Sequence, residues 1–144
     1  MPLLPSVASP MHGAVVPIAY AFYAAPGVFV FSNIPQGYQD LRIVASVRST
    51  ASATTDQLAL FIGSYGSNIY GETYLYGDGS SASSGRGSTQ GSFTNSAIIP
   101  AATSTSGVNA SVTIDILNYA NTSTYKTLLW RTAADTNGLS LIHI

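Results

Sequence analysis

In ASVTIDIL, Ala110 to Leu117, the apolar residues Val112, Ile114 and Ile116 alternate with Thr113 and Asp115. A period of two sends apolar and polar groups to opposite faces of a strand, whereas a helix needs its apolar residues every three to four positions. The alternation recurs along the chain. In DLRIVASVRS, Leu41, Ile43, Ala45 and Val47 point one way and Arg42, Val44, Ser46 and Arg48 the other. QLALFIG sets Leu58, Leu60 and Ile62 on one face, and IYGETYLYG sets Tyr70, Glu72, Tyr74 and Tyr76 against Ile69, Gly71, Thr73 and Leu75. GVFVFSNI (Gly27 to Ile34) is β-branched and aromatic and is expected to be a strand, and GSFTNSAIIP a short one stopped by Pro100. KTLLWRT is the expected hairpin partner of ASVTIDILNYA across NTSTY. Short strands separated by Gly, Ser, Thr and Asn predict an all-β fold, an antiparallel β-sandwich or jelly roll.

At 144 residues the chain suits one domain with a real core and is short for two. YGDGSSASSGRGSTQGS, Tyr76 to Ser92, has the composition of a linker, but too little strand lies on either side of it for two cores. It is expected to be a long loop within one domain, and loops of that length are usually functional. Its candidate recognition residues are Asp78, Arg86 and Gln90. The organisation that follows is a Pro-rich arm or first strand over 1–26, a β-sandwich domain over 27–138 and a separate tail over 139–144.

Charge narrows the function. Only 8% of residues are charged and the net charge is −1, against a usual charged share of about 25%. The five Lys and Arg are scattered, which leaves no footprint for nucleic acid. No charged residue precedes Asp40, yet the apolar run from Ala14 to Phe31 is divided by Pro17, Pro26 and Gly27 and has no flanking cation. A membrane-spanning helix needs ~20 uninterrupted apolar residues, so membrane insertion is not expected. With no Cys, disulfides and thiolate chemistry are excluded, and stability has to come from packing or from other subunits.

Candidate chemistry is sparse. His12 and His143 lie at opposite ends, no ligand spacing points to a metal and no motif to a cofactor. A glycosidase would need two carboxylates flanking a sugar. Glu72 and Asp78, the nearest pair beside aromatic residues, would be roughly 20 Å apart on an extended strand, and Asp78 in YGDG reads first as a turn residue. The strongest hint is the tyrosine face, Tyr70, Tyr74 and Tyr76 with Glu72 between them and Tyr65 upstream: it is either a stacking platform for sugar rings or a cover for the core or a subunit contact. Arg42 and Arg48 read first as a solvated strand face and second as a contact for an acidic partner, and Trp130 reads as core.

Several segments carry a resemblance. MPLLPSVAS, FSNIPQGYQDLRIVASVRST (Phe31 to Thr50), YLYGDGSSASSGRGSTQ (Tyr74 to Gln90) and IDILNYANTSTYKT (Ile114 to Thr127) together resemble a family of bacteriophage structural proteins, virion or tail-associated. The resemblance implies a β-sandwich in a virion, with other virion proteins and further copies of itself as partners. None of these segments is a catalytic motif, so the resemblance identifies a lineage better than an activity, and the function expected from the whole reading is assembly or host-surface attachment without enzymatic activity. A glycan-binding module using the tyrosine face is the alternative, and a glycan-degrading enzyme ranks third. After KTLLWRTAADTNG the family continues with further strands, whereas this chain ends in LSLIHI. That hexapeptide is what CTG TCT CTT ATA CAC ATC encodes, which resembles a transposase adapter used in sequencing libraries. Residues 139–144 are therefore expected to be adapter-encoded and the natural chain longer, with an unpaired sheet edge where strands are lacking. The other reading of Leu139, Leu141 and Ile142 is a terminal strand.

Overall fold

The alternating segments condense into two antiparallel sheets. The computed structural model describes residues 15–25, 27–63, 70–93, 97–136 and 139–143, of which 89, 90, 136 and 139–143 are described as backbone only. Eight strands follow one another: β1 (Leu41–Val47), β2 (Thr55–Gln57), β3 (Tyr70–Gly77), β4 (Ala82–Gln90), β5 (Ile98–Pro100), β6 (Ala110–Leu117), β7 (Thr127–Thr136) and β8 (Leu139–His143). Six form one sheet in the order β1-β6-β7-β8-β3-β4, and β2 pairs with β5 in a small second sheet. The fold is all-β and antiparallel throughout its pairings. The chain divides into two compact units, Met1–Ile34 and Pro35–Ile144, and all eight strands belong to the second.

Register carries the alternation into packing. Leu41, Ile43, Ala45 and Val47 stand opposite Ile116, Ile114, Val112 and Ala110, and Ile114 and Ile116 stand opposite Trp130 and Leu128. One face of the sheet is thus continuously apolar, and Ala97 just before β5 and Ile99 within it are buried in the same cluster, with Leu58, Leu60, Ile62 and Phe93 packed against it. Burying a Val or Ile side chain such as Val112 or Ile114 contributes about 1.5–3 kcal/mol. On the opposite face Asp115 sits between Arg42, at 2.5 Å, and Arg131, at 3.3 Å.

Four expectations are corrected. Tyr76–Ser92 is not a long loop: Ala82–Gln90 is strand β4, hairpinned onto β3 through a turn at Asp78–Ser81. Poor intrinsic β-propensity is overridden because β3 supplies a ladder of backbone partners on one side. GVFVFSNI is the reverse case. It is strand-forming by composition, yet it forms no strand and Val28 and Val30 are 76% and 77% exposed, because a strand needs a neighbour. QLALFIG is a strand only at its start, β2 ending at Gln57, although Leu58, Leu60 and Ile62 do turn inward together.

Arg48 is the fourth. It is no solvated charge: its guanidinium donates to the carbonyls of Thr105 (2.7 Å), Val108 (2.8 Å), Ala101 (2.9 Å) and Ser104 (3.0 Å). The loop between β5 and β6 is wrapped around it. Five fixed N–H donors in one plane allow a single Arg to gather carbonyls that point to a common centre.

Leu139–His143, the segment read as adapter-encoded, forms β8 and pairs with β7 along its whole length and with β3 at Tyr76 and Gly77.

Candidate functional site

β3 positions the tyrosine face. Because Tyr76 pairs with His143, which pairs with Thr132, and Thr132 is buried, the face bearing Tyr70, Glu72, Tyr74 and Tyr76 is continuous with the buried side of β6 and β7. Tyr70 is buried. Its hydroxyl donates to the Ile62 carbonyl at 2.6 Å and accepts from the Ile62 N–H at 3.0 Å, and its ring packs on Phe93 with centroids 4.6 Å apart. Glu72 is 9% exposed. Tyr70 is committed to the packing around Ile62 and Phe93, so the platform read from the sequence does not include it. Tyr74 and Tyr76 are half-buried and stack on each other with centroids 6.3 Å apart and planes 29° apart. Tyr65 lies outside the described residues.

The Gly-rich composition of β4 has a physical reason on this face. Gly85 pairs with Tyr74 and Gly87 with Glu72. The Tyr74 ring lies over Gly85 so closely that a Cβ there would come within 2.6 Å of Cζ and 3.0 Å of Cε2. Strand β4 is bare so that the aromatic residues of β3 can lie across it, and the covering rings supply the packing that the glycines lack.

The three residues expected in a recognition loop are dispersed. Asp78 builds the hairpin turn: one carboxylate oxygen accepts the N–H groups of Ser80 (2.9 Å) and Ser81 (2.8 Å) and the Ser80 hydroxyl (2.8 Å), with Gly79 at φ +89°. Those backbone donors, Ser80 first, hold its carboxyl far below the usual range. Arg86 is exposed on β4 opposite Thr73, and Gln90 pairs with Tyr70 at the far end of the hairpin. They share a strand or its turn, not a loop.

Asp115, Asp56 and Asp40 serve local structure as well. Asp115 is held below the ordinary carboxylate range chiefly by the hydrogen bond from Arg42, with Arg131 adding to it. Asp56 accepts from the Ser49 hydroxyl and from the Gln57 N–H at 2.8 Å, and Asp40 accepts the Asn118 N–H at 2.7 Å. Among the described residues no group of three or more His, Asp and Glu could hold a metal.

Sequence reasoning missed a feature beside the tyrosines. A cleft of about 450 Å³ runs between β3, at Gly71–Tyr74, and the start of β7, at Thr127–Trp130, with Phe93 and Lys126 completing it. The alternation in KTLLWRT predicts a hairpin strand, but nothing local says that it faces β3, because β8 brings the two together. The Trp130 indole N–H is buried without an acceptor among the described residues. No family model, no curated protein and no solved structure matches this chain.

Proposed function

We propose that this chain is a non-enzymatic structural subunit of a bacteriophage virion, tail- or fibre-associated, whose work is assembly and attachment to a host surface. One observation carries the reading. Residues 15–31 hold no charge and are exposed wherever they are described, with Tyr20 at 96%, Phe22 at 88%, Val28 at 76% and Val30 at 77%. Apolar surface left open over so long a stretch marks a contact with another protein. The resemblance of Phe31–Thr50, Tyr74–Gln90 and Ile114–Thr127 to phage structural proteins supports the same reading, as does the commitment of Asp40, Asp56, Asp78 and Asp115 to local hydrogen bonds. A β-sandwich, with the small sheet as part of the second layer, is the architecture that goes with it.

Sedimentation velocity of the full chain over a range of concentrations tests it. Assemblies that grow with concentration are expected, and a monomer up to ~100 μM refutes the subunit reading. A second reading rests on Tyr74 and Tyr76 alone, a stacked and half-exposed pair suited to a sugar ring. Calorimetric titration with host-surface glycans separates the two: saturable heat that Tyr76→Ala abolishes supports binding, and its absence leaves assembly.

A further inference from the structure

The six-stranded sheet has two edges, and they differ in kind. At one edge, the register of β4 against β3 slips between Tyr70 and Glu72, and β4 carries Gly85, Gly87 and the exposed charge of Arg86. A bulge, bare glycines and a cation all discourage a further strand from pairing there. β1, at the other edge, has none of these devices. Leu41–Val47 pairs with β6 over seven residues without a break in register, holds neither Pro nor Gly, and among the described residues pairs with β6 alone. Its one charge, Arg42, is turned onto Asp115 of β6. An antiparallel strand directs the N–H and C=O of every second residue away from its neighbour, so β1 offers a regular row of donors and acceptors on its open side. The side chains along this edge are apolar too. Leu41, Ile43, Ala45 and Val47 belong to the core face but are only half-buried, and Val44 is 71% exposed on the other face.

Resting on the subunit reading above, we propose that β1 pairs antiparallel with β1 of a second copy about a two-fold axis, joining two sheets into one. The strand is complementary to itself. Because alternate residues face opposite sides, the two sheets are continuous only in registers that set core-facing positions against core-facing ones. One such register matches all seven residues: Leu41 stands opposite Val47, Arg42 opposite Ser46, Ile43 opposite Ala45 and Val44 opposite itself. A slide of two residues in either direction leaves only five pairs. In the full register no like charges meet, since each Arg42 faces a Ser and keeps its own Asp115. On the core face the half-buried apolar residues of the two edges cover one another across the axis. On the outer face Val44 meets Val44, which removes an exposed apolar pair from water. Self-complementarity of this kind favours a second copy over a foreign strand. The contact uses the same surface twice and closes at two copies, so larger assemblies need a second surface, which the exposed residues of 15–31 supply.

A residue that faces itself makes the test direct in a chain without Cys. Under mild oxidation Val44→Cys by itself should give disulfide-linked dimers in high yield. Ser46→Cys lies on the same exposed face of the same strand and should not, because its two copies would be ~14 Å apart, beyond disulfide reach. Charge provides the second arm. Val44→Lys and Val44→Glu should each lose the dimer, since like charges would meet across the axis, and an equimolar mixture of the two should regain it with one copy of each. Val44 is exposed, so each of these variants should still fold and melt as a monomer. If Val44→Cys links no better than Ser46→Cys, or the mixture associates no better than either variant alone, the two-fold pairing is wrong. Wild-type assemblies that persist in that case leave the subunit reading standing, whereas a wild-type chain that never associates overturns both.

Discussion

Replacing Arg48 with Ala should destabilise the Pro35–Ile144 unit by about 3 kcal/mol. The magnitude comes from the carbonyls left behind. Of the four acceptors within 3.0 Å, those of Ala101, Ser104 and Val108 are at least partly buried, while that of Thr105 is exposed and can turn to water at little cost. Each hydrogen bond to a charged donor is worth about 1.5–3 kcal/mol, but the bonds share one side chain and water can enter the vacated space, so the full sum is not lost. Arg48→Lys should recover less than half, because an ammonium has three donors and no planar fork. Urea denaturation followed by the fluorescence of Trp130 provides the assay, since it is the single Trp and is 7% exposed. The midpoint should fall without a change in slope, and the melting temperature should drop by roughly 12 °C, at about 4 °C per kcal/mol for a unit near 100 residues. A loss under ~1 kcal/mol, or full recovery with Lys, would show that the loop does not depend on the guanidinium geometry.

Three further outcomes can be checked. Tyr70→Phe removes the hydroxyl that both accepts from and donates to the Ile62 backbone, and should cost about 1–2 kcal/mol in the same urea titration. Gly85→Ala sets a Cβ into the Tyr74 ring; the ring has to swing off β4, so stability should fall by about 1 kcal/mol and the near-ultraviolet dichroism of the tyrosines should change. Acid should destabilise the fold through Asp115 and Asp78, whose folded-state values both lie below the ordinary one. Their contribution is complete above the unfolded value, near pH 4, and is lost as pH falls below it; a thermal scan from pH 8 to 2 should be flat with respect to these groups above about pH 5, and Asp115→Asn should reduce the acid slope.

The all-β class, the inward faces of β1 and β6, the β6–β7 hairpin and the core role of Trp130 were legible in the sequence. Each depends on short-range alternation, which a strand expresses whatever its neighbours are. What the sequence by itself did not determine was which segments find partners. ASSGRGSTQ has the composition of a loop and is a strand, because the rings of β3 need glycines beneath them; GVFVF has the composition of a strand and is none, because no described strand pairs with it. Arg48 looked like surface charge, since the carbonyls it gathers lie more than fifty positions away. The tyrosine face was identified by parity, but parity cannot say which side of a sheet is covered. The cleft between β3 and β7 is the plainest case: two segments over fifty residues apart become its walls only because β8 enters between them. Local sequence sets the period of the side chains, and long-range pairing sets which backbone edges are satisfied, so fold class follows from the first and the candidate site from the second.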